Sequence, residues 1–102
     1  MLDFAVKAVE FTREKSRPDL DTDEMRVWAV AHLIEMMSHG AKSVTQEFRE
    51  KYKEVPWSQI TAAGARLSPG DGGVDRDMIW TMASRDLPAL ITKLRKIIRE
   101  EG

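Results

Sequence analysis

The chain has 102 residues, 42% of them hydrophobic and 32% charged, with a formal net charge of −1 and no cysteine. That length suits one domain, 1–102, built on a single core. The balance is too apolar for a disordered chain and too charged for a membrane protein. Near-zero net charge excludes a general electrostatic pull on nucleic acid, leaving only a local basic patch, and the missing cysteines exclude disulfide and thiolate chemistry.

The N-terminal stretch places Asp3 and Lys7 among its apolar residues, unlike a secretory leader. The longest apolar run, from about Trp28 to Met37, is broken by His32 and Glu35 and is too short to span a bilayer. A cytoplasmic protein without a membrane partner is the resulting expectation.

Leu2, Ala5, Val6 and Val9 share one helical stripe and Phe4, Ala8 and Phe11 a neighbouring one, so residues 2–15 read as a first helix. Pro18 disfavours helical geometry at Arg17 and ends it. Asp21 with Glu24 reads as a capping box opening a long second helix. Its two stripes, Val27, Val30, Ile34, Met37, Ala41 and Ala29, Leu33, Met36, Gly40, make most of its circumference apolar. Such a helix is expected to be central, or to face a second subunit. Ser43 with Gln46 reads as the cap of a short charged helix, and Pro56 suits the first turn of the next.

The segment 64–75 holds four of the six glycines together with Pro69, and reads as a loop exposed at one end of the molecule. Asp75 then caps a last helix with Asp77 in its first turn. Pro88 predicts a kink or a fresh start there, capped by Asp86. No strand-period segment or repeat interrupts the pattern, so the fold class is all-α: an up-and-down bundle of four or five helices, the second and last long ones central.

Few residues carry chemistry. His32 and His39 lie seven apart on one helix, whereas ligation of one metal from a single helix wants three or four, so no metal or other cofactor is expected. Glu35 reads as structural, either a partner for an arginine or the edge of the apolar face. Gly70, Asp71, Gly72 and Gly73 lack the lysine and Ser/Thr of a phosphate-binding loop, and the order of Asp71, Asp75 and Asp77 does not match a calcium loop. Trp28, Trp57 and Trp80 fall one per helical segment and read as core anchors.

The succession His32-Leu33-Ile34-Glu35-Met36-Met37, Ala41-Lys42, Glu47-Phe48-Arg49-Glu50-Lys51-Tyr52, Val55-Pro56-Trp57, Gly73-Val74-Asp75, Ile79-Trp80 and Asp86-Leu87-Pro88-Ala89-Leu90 resembles the HepT-like branch of the HEPN superfamily over nearly the whole chain. The resemblance implies a helical bundle, commonly a homodimer, acting as the toxin of a toxin–antitoxin pair beside a minimal nucleotidyltransferase antitoxin. It also implies metal-independent cleavage of RNA. The family motif is an arginine, four to six residues, a histidine, any residue and a tyrosine, lying between the Pro-Trp helix and the Val-Asp start of the last helix. The histidine would transfer protons, the arginine would stabilise phosphate, and the tyrosine would be nucleotidylated by the antitoxin.

This chain departs from that motif. Alignment on Val74 and Asp75 places Gly64, Pro69 and Asp71 at the arginine, histidine and tyrosine positions. Sliding Arg66 into the arginine position puts Asp71 at the histidine and Gly73 at the tyrosine. No catalytic residue is therefore carried over, and Arg66 and Asp71 stand as binding candidates only. Three readings follow: a degenerate HepT-like paralogue working through protein and RNA binding, an active RNase toxin neutralised by its antitoxin, and an unrelated helical scaffold.

Overall fold

The computed structural model describes residues 1–67 and 75–101. Its elements are α1 (Leu2–Thr12), α2 (Asp19–Thr22), α3 (Glu24–Lys42), α4 (Gln46–Lys51), α5 (Trp57–Leu67), α6 (Arg76–Thr81), a π-helical stretch (Met82–Asp86) and α7 (Leu87–Glu101). Among the described residues no strand occurs, and the expected all-helical bundle is what forms. No helix among them is long and apolar enough to cross a membrane. The central element is α3, packed between α1 and α5, as its apolar circumference requires. The last helix was also expected to be central, but α7 packs chiefly on α1, and α6 is the part that reaches α3.

Local chemistry explains where the boundaries differ from expectation. The cap of α3 is Asp23, not Asp21: Asp23 accepts the Arg26 backbone N–H at 3.1 Å and the Arg26 guanidinium at 2.9 Å. Asp21 makes its own charge-assisted bond, to Arg17 at 3.0 Å, on the α1–α2 link that precedes α3. Residues 19–22 form the extra turn α2, anchored by the fully buried Leu20. Thr45 rather than Ser43 caps α4, accepting the Phe48 N–H at 3.2 Å, while the Ser43 hydroxyl donates back to His39 O. Pro56 precedes α5 rather than lying in its first turn, and its carbonyl accepts the Ile60 N–H at 3.1 Å.

Pro88 shapes the last rod. A regular α-helix would bring its ring against the Ser84 carbonyl and leave that carbonyl without an N–H. The chain answers by widening one turn, so that Leu87 N–H reaches back five residues to Met82 O, and the helix continues without a break. The expected fresh start at Asp86 is replaced by this wider turn.

The core joins Ala5 and Ala8 of α1, Val27, Val30, Ile34 and Met37 of α3, Ile60 and Leu67 of α5, and Leu87, Leu90 and Leu94 of α7. Trp57 is a core anchor and Trp80 packs partly buried against the core. Trp28 is not: it is 48% exposed, because the outer flank of α3 has nothing packed on it. His32 and His39 are exposed as well.

Candidate functional site

The expected loop 64–75 begins later than the glycine content suggested, since α5 continues through Gly64 to Leu67. Two interactions hold these residues helical. Leu67 is fully buried, and Ser38 of α3 donates to the Thr61 carbonyl at 2.9 Å where the two helices cross. A Cβ on Gly64 would meet Ser38 side-chain atoms at 3.4 Å and Glu35 Cα at 3.7 Å, ordinary contact distances. A long side chain at position 64 would therefore have to leave past Ser38 and the half-buried Glu35.

Residues 68–74 are bounded by fixed ends. The Asp75 N–H donates to Leu67 O at 3.0 Å, and the Asp75 carboxylate caps α6 by accepting the Met78 N–H at 2.9 Å. Arg17 ties the same end to the α1–α2 link, reaching Asp77 at 2.7 Å and Asp21 at 3.0 Å. Those two hydrogen bonds, Asp21's the larger, hold the Arg17 guanidinium above its ordinary pKa, so it stays a fixed cation. Arg66 belongs to the last turn of α5, and the binding roles expected of its side chain and of Asp71 lie outside the described residues. So do the Pro69 position and the exposure expected of 68–74.

Beside these fixed ends, a groove of about 730 Å³ runs between α5 and the last rod. Its floor is apolar, with Met37, Ile60, Met78, Met82 and Leu87. Its edge carries Asp75, Asp77 and Asp86, and no lysine, arginine or histidine lines it among the described residues. Asp86 is the last residue of the widened turn Met82–Asp86. Sequence pattern marks Asp77 and Asp86 as helix-terminus acids, with Asp77 weighed and set aside as a calcium ligand; Pro88 is the signal that this stretch departs from a regular helix. Among the described residues no three acids or histidines are placed to hold a metal ion.

A family model described as "Ribonuclease HepT-like" matches residues 1–97. The chain is 32% identical over 91 residues to a Methanocaldococcus jannaschii protein named as a gamma-glutamylcyclotransferase and RNase candidate. That match covers 89% of this chain but 41% of the archaeal protein. It is 28% identical over 88 residues to "Probable ribonuclease HepT" of Thermococcus cleftensis, covering 86% of this chain and 80% of that one. A further relative, an RNase candidate of Caldanaerobacter subterraneus subsp. tengcongensis, is 27% identical across 98% of this chain and 93% of its own length. No solved structure gives a significant match. With a family model spanning almost its full length and relatives named as RNases, this chain belongs to the HepT-like ribonuclease family.

Proposed function

We propose that this protein is a catalytically degenerate member of its family, acting within a toxin–antitoxin module by binding protein, and RNA through Arg66, without cleaving RNA. One observation carries the reading: the stretch from Trp57 to Arg76 contains no histidine and no tyrosine. General acid–base catalysis contributes on the order of 10²–10⁴ in rate, and losing an electrostatic stabiliser typically costs on the order of 10²–10³. A carboxylate such as Asp71, with a reference pKa of about 3.9, is a poor acid for a leaving alkoxide at neutral pH, and it repels phosphate. Family membership removes the unrelated-scaffold reading. The active-RNase reading is supported by the ribonuclease description of the family and by the RNase names of the relatives.

The proposal includes a cytoplasmic setting, a minimal nucleotidyltransferase as antitoxin and a homodimer. Self-association is supported by the bare flank of α3, where Met25 is 85% and Trp28 48% exposed. Sedimentation at micromolar concentration should show twice 11.6 kDa, and Trp28→Glu should return it to the single-chain mass. The functional reading is tested by inducing expression in a bacterial host without the antitoxin. Growth should continue; arrest that is cured by Arg66→Ala would sink it.

A further inference from the structure

The groove between α5 and the last rod pairs an apolar floor with a carboxylate edge, and this pairing selects a partner. Met78 and the slightly exposed Met82 offer flexible, polarisable thioethers that adapt to apolar side chains of varied shape, above the fully buried Met37. Asp75, Asp77 and Asp86 give one edge a negative potential. Arg17, on Asp77 at 2.7 Å, and Arg85, on Asp86 at 3.3 Å, offset part of that charge from outside the groove. Asp75 keeps one oxygen on the Met78 N–H.

We infer that this groove is a docking site for a short basic amphipathic helix of a partner protein. Its leucine-like side chains would sit on the methionine floor and its lysines or arginines would meet the three carboxylates. Charge complementarity decides the occupant. RNA would bring phosphates onto an acidic edge with no cation in the lining among the described residues, the reverse of what nucleic-acid binding requires. A second copy of this chain offers a poor fit. Its exposed apolar side chains at Phe11, Met25 and Trp28 lie on the α1 and α3 flanks, and Ile98 is a single apolar group among the exposed Arg95, Lys96 and Arg99 of α7. A helix laid in a groove instead presents anchors one turn apart along one face, with basic residues on its margins.

The inference rests on the reading of the chain as a binding protein, and its test keeps the two separable. The probe is a synthetic leucine–lysine amphipathic helix about four turns long, titrated into the full chain while the methionine methyl resonances are followed. Shifts at Met37, Met78 and Met82 with Met25 unmoved are expected, together with affinity that falls as salt rises from about 0.15 to 0.5 M. Asp86→Lys should weaken binding by about tenfold or more. Gln59→Trp, an exposed lining position whose indole would fill the groove, should abolish it, whereas Glu47→Lys on the exposed face of α4 should leave it unchanged. Shifts confined to Met25, binding indifferent to Gln59→Trp, groove shifts caused by single-stranded RNA, or groove shifts that appear on concentrating the chain alone would each overturn the inference. RNA cleavage measured on the same samples would overturn the non-cleaving reading and leave the groove result standing.

Discussion

The two ends of α5 are held in different ways. At the Trp57 end, the indole N–H donates to Tyr52 O at 3.0 Å, and Phe48 packs against Tyr52 at 4.8 Å and edge-on to Trp57 at 6.3 Å. The Tyr52 hydroxyl and Lys51 both donate to Glu101, tying α4 to the end of α7, and Lys93 donates to Glu54 O at 2.9 Å. At the Leu67 end, one buried leucine, one backbone bond to Asp75 and the Arg17–Asp77 pair do the holding. At the first end the indole N–H, the Tyr52 hydroxyl and the Lys51 and Lys93 ammoniums all bond within the fold. At the second, Asp75, Asp77 and Asp86 line a groove whose described lining holds no cation, with Arg17 and Arg85 pairing two of them from outside.

Breaking the aromatic end should have the largest effect. Trp57→Ala removes a buried ring and its indole hydrogen bond to the Tyr52 carbonyl, and should cost about 3–5 kcal/mol, read from the shift of the urea midpoint. If the loss is below about 1 kcal/mol, that end is not the anchor described here. At the opposite end, Asp75→Ala removes a cap and should cost about 1 kcal/mol, with Asp75→Asn restoring most of it. That contrast would separate capping from the charge of the groove edge.

The Glu101 link sharpens the comparison through pH. Hydrogen bonds from Lys51, and then from Tyr52, hold the Glu101 carboxyl below the usual carboxylate range. A group depressed in the folded state stabilises above its unfolded pKa, about 4.3, and that stabilisation is lost as pH falls through the folded value. Melting temperature should therefore drop as pH falls below about 4.3. Glu101→Gln should show a smaller drop; an unchanged acid profile would remove this link from the holding of the Trp57 end.

Much of the bundle was legible in the sequence because periodicity and Pro or Gly punctuation act locally. The central place of α3 followed from Val27, Val30, Ile34 and Met37, and the Asp75 cap from its position. What escaped was decided across the chain. Asp23 caps α3 because it accepts both the Arg26 N–H and the Arg26 guanidinium, which also donates to Phe11 O at 2.6 Å, joining α1 to α3. Gly64 stays helical because Ser38 and Leu67 fix the crossing, which no window around the glycines reveals. Trp28 is hydrophobic by type yet exposed, since sequence pattern marks an apolar face without saying whether anything covers it. The groove acids were visible as residues but not as shared lining: that Asp75, Asp77 and Asp86 border one groove with residues of α5 is decided by packing across the chain.

The most direct measurement is RNA cleavage in EDTA by the purified chain beside a version carrying Gly64→Arg, Pro69→His and Asp71→Tyr, with transfer and messenger RNA as substrates. The expected result is no cleavage by the unaltered chain above buffer, with any gain of activity confined to the triple substitution. Robust cleavage by the unaltered chain, abolished by Arg66→Ala, would contradict it.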